Sequence, residues 1–294
     1  MNNYEYLFSC TSWEQRFSFG LEHILTHEQV SNVKIFEVLE FQDQTKTSTE
    51  KALYLSQSKT TNEVVSVSML DDTKSWKTLE KLFTDIDLDS KKVLIDISTM
   101  PRFLIWFTLH FLSLKNCEAH YIYFSPESYD DCDWLSGEPK EPRLIFKHSG
   151  LHLPDKNTLL ILQTGFDTER VSQLLNIYEP SLALLAVQTG TQYNNFEKNI
   201  NRHKEALSFQ DIETFEIDSF SPDHGLNKLQ EKVEIYKDTH NIIMASFGPK
   251  PTAIAMFKAN ISTPEAALIY VPAIEYNPNY STGIRFDNIQ RGVI

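Results

Sequence analysis

The chain of 294 residues is 41% hydrophobic and 23% charged, the composition of an ordinary globular protein and not of a disordered one. Forty acidic residues against 27 basic ones give a formal net charge of −13, which excludes wrapping of long DNA or RNA, because phosphate neutralisation needs a surplus of Lys and Arg. A small anionic ligand stays compatible, since two or three local cations suffice for it.

The N-terminus, MNNYEYLFSC, lacks a basic segment followed by a long apolar core, so no signal peptide is expected. Cys10, Cys117 and Cys132 form no C-x-x-C pair and leave an odd count, which favours a reducing compartment over a disulfide scaffold. The most apolar stretch, Phe103–Leu114, is about half the length that a bilayer requires and reads as a buried core helix. The expectation is a soluble, cytoplasmic protein with no membrane partner.

In chain order, Tyr6–Ser9 opens as a strand and runs into Cys10-Thr11-Ser12-Trp13-Glu14-Gln15-Arg16. Val33–Phe41 alternates as a second strand, and Gln42–Ser58, rich in Thr, Ser and Gln, reads as a polar loop, mobile or gating. Ser75–Phe83 has helical spacing behind a Ser cap. Val93–Ile97 is a strand, then Ser98-Thr99-Met100-Pro101-Arg102 leads into the apolar helix, and Ala119–Phe124 is a further strand. Leu135–Asp155, broken by Gly137, Pro139, Pro142, Gly150 and Pro154, reads as a linker.

The same grammar then returns. Leu159–Leu162 runs into Gln163-Thr164-Gly165-Phe166-Asp167-Thr168-Glu169-Arg170, Leu182–Val187 is a strand, and Asn195–Leu207 and Leu226–Lys237 are amphipathic helices. Asn241–Ala245 leads through Ser246-Phe247-Gly248-Pro249-Lys250 into an apolar helix, followed by the strand Ala266–Val271. Ser98 and Ser246 lie 148 residues apart, and Tyr123 and Tyr270 lie 147 apart. Strands alternating with helices predict an α/β protein of two Rossmann-like units with parallel sheets, 1–150 and 151–294, related by internal duplication.

Ligands of such sheets bind beyond the carboxyl ends of the strands. Thr11, Ser12, Ser98, Thr99 and Arg102 in the first half, and Thr164, Gly165, Ser246, Gly248 and Lys250 in the second, therefore form the candidate binding set. Pro in each later turn sits where a helix begins, and free amides, a Ser hydroxyl and one cation there suit an anion such as phosphate. The competing account makes Ser98 and Ser246 helix caps and Arg102 and Lys250 solvated surface charges.

Asp96-x-Ser98-x-x-x-Arg102 resembles the (Asp/Asn)-x-(Ser/Thr)-x-x-x-(Arg/Lys) signature that follows the fourth strand of CARF domains. The second half keeps Ser246 and Lys250 but carries Met244 where the acid should be, so it resembles a degenerate copy. The Thr11-Ser12 and Thr164-Gly165 turns are similar to the small polar turn that holds ligand in that family. CARF domains are Rossmann-like sensors of cyclic oligoadenylate in CRISPR-associated immunity and act as dimers. The resemblance implies a fused dimer that binds a small anionic nucleotide between its halves and regulates a separate effector protein in antiviral defence.

Other chemistries fit less well. There is no G-x-G-x-x-G, no Walker A and no G-x-S-x-G, and no cofactor is expected. His23/His27 and His148/His152 have helical spacing but no third ligand, and Asp130-Asp131-Cys132-Asp133 reads as a solvated acidic loop, so no metal is expected. Tyr276 and Tyr280 flank a turn-rich loop and either stack on a base or pack the C-terminal edge. An enzyme remains the alternative, a metal-independent phosphodiesterase of the ring-nuclease kind acting by positioning, and a protein-interaction scaffold is the third.

Overall fold

The computed structural model describes residues 2–129, 135–165, 167–189, 200, 201, 203 and 212–294. The acidic run 130–133, Phe166 and most of the helix expected over 195–207 lie outside the described residues. The chain forms two compact units, Met1–Trp134 with Asn277–Ile294, and Leu135–Tyr276. The expected boundary at 150 therefore falls inside the second unit, and the last eighteen residues return to the first.

The first unit runs β1 (Asn3–Cys10), α1 (Gln15–His27), β2 (Gln29–Val38), α2 (Gln42–Leu55), β3 (Thr61–Val67), α3 (Asp72–Asp85), β4 (Lys92–Asp96), α4 (Arg102–Ser113), β5 (Glu118–Phe124) and β6 (Ser128–Tyr129). The second runs β7 (Arg143–Leu144), β8 (Asn157–Gln163), α5 (Thr168–Tyr178), β9 (Leu182–Gln188), β10 (Ile212–Ile217), α6 (Leu226–Tyr236), β11 (His240–Ser246), α7 (Pro251–Ser262) and β12 (Ala267–Tyr270). β13 (Ser281–Thr282) and β14 (Ile289–Val293) then complete the first unit.

The two sheets share one plan. Their orders are β14-β5-β4-β1-β2-β3 and β7-β12-β11-β8-β9-β10, so the fourth strand of each unit lies beside its first. Five strands in each are parallel, and the sixth, β14 on β5 or β7 on β12, is antiparallel.

Burial on both faces explains the continuous apolar strands. In the first unit Leu7, Val33, Ile35, Leu94 and Ile122 pack with Phe17, Leu21, Ile24 and Ala52 of α1 and α2. The alternate residues meet the other helices, the Phe8 ring lying tilted against Phe83 of α3 at 5.2 Å between centroids. In the second, Leu160, Leu162, Leu185, Ala245 and Ile269 pack against Val171, Leu174 and Leu175 of α5.

Three expectations are corrected. Gln42–Ser58 is mainly the helix α2, whose buried face is Thr45, Thr49 and Ala52. Thr45 donates to Phe41 O at 3.0 Å and Thr49 to Glu37 Oε1 at 2.9 Å, so polar side chains bury by bonding locally and leave no apolar stripe to read. α3 starts earlier than Ser75: Asp71 caps it by accepting from Lys74 N at 2.9 Å, and Ser75 inside the helix ties down the chain at Ser68. Within Leu135–Asp155 the segment is not merely a linker, because Arg143–Leu144 is the edge strand of the second sheet.

Candidate functional site

Parallel strands deliver their carboxyl ends to one edge, and in each unit the first-strand and fourth-strand turns meet there. In the first unit Thr99 Oγ1 donates to Cys10 O at 2.8 Å. In the second, Phe247 N donates to Gln163 O at 2.9 Å. The turns of the second unit touch backbone to backbone: a Cβ on Gly248 would lie 2.6 Å from Thr164 O, and one on Gly165 would collide with Phe247 O. The ten candidate residues thus fall into two groups of five, one per unit, with Thr99 and Gly248 at different places in their turns.

The hydroxyls of the fourth-strand turns face inward. Ser98 is wholly buried, donates to Asp96 Oδ1 at 2.5 Å and accepts Phe124 N–H at 2.9 Å. Asp96, equally buried, also accepts Ser9 Oγ at 3.0 Å and Ser98 N at 3.0 Å. A carboxyl group out of water has to be hydrogen-bonded, and these donors serve Asp96. Neither serine is a helix cap, since Pro101 and Lys250 hold those positions. The second unit has Met244 in place of the acid, and the carboxamide of Gln163 takes over: Ser246 Oγ donates to Gln163 Oε1 at 2.5 Å, and Gln163 Nε2 donates to Ser219 Oγ at 2.8 Å and to Pro249 O at 3.2 Å.

The first-strand turns differ. Thr164 Oγ1 donates to Ala186 O at 3.3 Å. Thr11 Oγ1 is buried, with the residue 5% exposed, and has no hydrogen-bond partner among the described residues. Ser12 Oγ accepts Glu14 N at 3.2 Å, closing the turn ahead of α1. Arg102 begins α4 behind Pro101, and Lys250 caps α7, where Pro251 rather than Pro249 is the first helical residue. Both cations are half-buried.

The arginines that follow an aromatic and an acid at the start of each first helix, Arg16 and Arg170, lie outside the candidate binding set. Arg16 is 2% exposed and paired with Glu14, and Arg170 is 5% exposed and paired with Asp167 at 2.9 Å. Burial alone would lower both guanidinium pKa values, yet Glu14 and the tyrosines around Arg16, and Tyr276 and Asp167 beside Arg170, raise them above the usual range. Arg16 lies near Tyr280 Oη at 3.5 Å, and Arg170 donates to Tyr276 Oη at 3.0 Å. Tyr276 and Tyr280 thus pack against buried cations. The recurring aromatic–acid–Arg string was the signal for these pairs.

His23 and His27 stack at 4.1 Å, and His148 bonds Asn260 at 2.5 Å between Nδ1 and Oδ1. Among the described residues no three His, Cys, Asp or Glu side chains converge, and no helix is long and apolar enough to cross a membrane.

No protein-family model and no curated protein matches the sequence. Among solved structures, the chain is similar to one described as a Type III CRISPR defence DNA nuclease activated by cyclic oligoadenylate, with a TM-score of 0.59 and 7% identity over 95% of this chain and 68% of that one. At that identity the likeness is one of fold. A likeness to the cytoplasmic domain of a prokaryotic cation chloride cotransporter, at a TM-score of 0.27 and 9% identity over 92% of this chain and 96% of that one, carries no argument.

Proposed function

We propose that this chain is a sensor that binds a small anionic nucleotide of the cyclic oligonucleotide type at its strand ends and regulates a separate effector in prokaryotic antiviral defence. The observation that carries the proposal is the matched pair of polar strand-end turns, each followed by a cation at the start of a helix, with one buried hydroxyl, Thr11, left without a partner. The likeness in fold to a nuclease activated by cyclic oligoadenylate supports the choice of ligand class.

In this proposal Arg102 and Lys250 supply charge, and the amides of the two first helical turns supply donors. Thr11, Ser12, Thr99, Thr164, Gly165 and Gly248 shape the turns against the ligand. Ser98 and Ser246 act from behind, fixing each turn through Asp96 or Gln163. The two units, built to one plan, would descend from a duplicated gene.

The test is incubation of the purified protein with cyclic tri-, tetra- and hexa-adenylate and a linear oligoadenylate, with calorimetry and chromatography of the nucleotide. Binding with intact recovery supports the sensor. Steady conversion in the presence of a chelator moves the assignment to a metal-independent phosphodiesterase at the same turns. Absence of binding across the panel overturns the proposal and leaves a scaffold.

A further inference from the structure

Each sheet is finished by a strand from the other half of the sequence. β14 follows β12 in the chain but pairs antiparallel with β5, Ile289 opposite Phe124 through Val293 opposite His120. β7 follows β5 but pairs antiparallel with β12, Leu144 opposite Ile269 and Arg143 opposite Tyr270. A chain of two independent halves would have kept each tail on its own sheet.

The place where each tail enters its new unit carries the same contacts twice. Ser281 bridges Tyr129 in the first unit, and Ser136 bridges Tyr276 in the second, both antiparallel. Tyr129 and Tyr276 lie 147 residues apart, the spacing of the repeat. Ser281 Oγ donates to Glu14 Oε2 at 2.8 Å, and Ser136 Oγ donates to Asp167 Oδ2 at 2.8 Å. Glu14 and Asp167 are in turn the N-cap residues of α1 and α5 and the partners of Arg16 and Arg170. In each unit a buried acid at the first helix therefore grips a serine of the incoming tail. One such contact is an incidental bond; the same serine–acid–arginine chain at equivalent places is a design repeated with the fold.

We infer that residues 135–150 and 277–294 are equivalent arms, reciprocally exchanged between the halves, and that each half of the sequence is completed by the arm of the other. The binding partner of each arm is thus the open edge of a matching sheet, β12 for the first arm and β5 for the second. Main-chain bonds supply the affinity, as in any strand added to a sheet edge, and the Glu14 and Asp167 contacts fix the register.

A cut chain tests this with the full-length protein. A protease recognition sequence is inserted between the exposed Pro154 and Asp155, and His120→Cys with Val293→Cys places a cysteine on each fragment. Ile294 N donates to Ala119 O at 2.9 Å, so the adjoining His120–Val293 pair is a non-hydrogen-bonded one, with Cα atoms about 4.5 Å apart and within disulfide reach. Leu144→Cys with Ile269→Cys is the matching pair on the other arm, beside the Ile145 N to Leu268 O bond of 2.9 Å.

After oxidation and cutting, either pair should hold the fragments as one species on a denaturing gel, parted by reductant. Separate fragments in which the two introduced cysteines, as distinct from the native Cys10, Cys117 and Cys132, are open to alkylation, from variants that melt as the parent does, overturn the exchange. A second measurement needs no cysteine. Gln290 lies opposite Tyr123 in hydrogen-bonded phase with Ile294, so Gln290→Pro removes a ladder donor. It should speed hydrogen exchange at the Tyr121 and Tyr123 amides at least tenfold and leave β12 unchanged; faster exchange in β12 with β5 unchanged refutes the arms.

Discussion

Ser98 donates to Asp96 at 2.5 Å, and both side chains are wholly buried at the end of the fourth strand. The same hydroxyl accepts the Phe124 amide at 2.9 Å, so one serine joins the fourth strand to the fifth. Ser98→Ala removes a donor from a buried carboxylate and strands an amide, each worth about 1–3 kcal/mol. Thermal or urea unfolding should show a loss of at least that size. A variant as stable as the parent would mean that the Asp96 network does not hold the turn.

Gly165 and Gly248 answer to a different force. Each lies where two backbone turns touch, and Gly248→Ala would place a methyl group 2.6 Å from Thr164 O. Backbone atoms cannot swing aside as a side chain can, so overpacking of about 1–3 kcal/mol follows. Gly165→Ala should be at least as harmful, because its Cβ meets Phe247 O more closely still. Melting temperatures measured without ligand decide this, and an unchanged value for both variants would remove close packing as the reason for glycine.

These residues show how far the sequence could be read. The strand–turn–helix order was legible because parallel strands buried on both faces are continuous apolar runs, as in Leu159–Leu162. The polar turns were legible because Ser-x-x-Pro follows an apolar run in each half, although Ser98 lies two residues beyond β4 and Ser246 is the last residue of β11. α2 was hidden because its inner face is Thr45, Thr49 and Ala52, which have no apolar period. The exchange of edge strands was hidden for another reason. β7 is two residues long, and its partner β12 lies more than a hundred residues away, so no local pattern records the pairing. The inward direction of Ser98 followed from Asp96, which sequence alone marked only as part of a motif.

Buried histidines set a pH dependence. His148 is 3% exposed and His224 is 5% exposed, and burial lowers both pKa values, opposed by the bond to Asn260 in one and by the Ser219 carbonyl in the other. A folded-state pKa below that of the unfolded chain means that the unfolded state binds the proton first. Stability is therefore full above about pH 6.5, the ordinary histidine value, and falls as the pH drops through it toward the folded pKa values. The urea midpoint should be lower at pH 5.5 than at pH 7.5. The combined variant His148→Gln and His224→Gln should show a smaller difference; an equal difference would place the titration elsewhere.

Thr11 separates stability from binding. Its hydroxyl is buried without a partner, whereas that of Thr164 donates to Ala186 O. Thr11→Val keeps the shape and removes a polar group that folding leaves unsatisfied, so the protein should be unchanged or more stable by up to about 1 kcal/mol. If a nucleotide satisfies that hydroxyl, the same variant should bind the cyclic adenylate of the panel about five- to tenfold more weakly, since a net hydrogen bond is worth about 1 kcal/mol. Calorimetry and melting on one sample give both numbers, and unaltered affinity would take Thr11 out of the site.

Arg102 and Lys250 carry the charge of the proposal. Each sits at the start of a helix whose first-turn amides already present a positive end, an arrangement that slightly opposes the helix dipole. An anion bound there reverses the sign, because cation and amides then share one partner. A charge-assisted hydrogen bond is worth about 1.5–3 kcal/mol, so Arg102→Ala should weaken binding of the cyclic adenylate by about ten- to a hundredfold. Lys250→Ala should have an effect of similar size, since it stands at the N-cap of α7 as Arg102 stands at the first residue of α4. The melting temperature of the free protein should hardly move in either variant, because half-exposed charges contribute little to stability. If Arg102→Ala instead lowers the melting temperature markedly and leaves the affinity intact, Arg102 is a structural ion-pair residue, and the anion site at the fourth-strand turns is wrong.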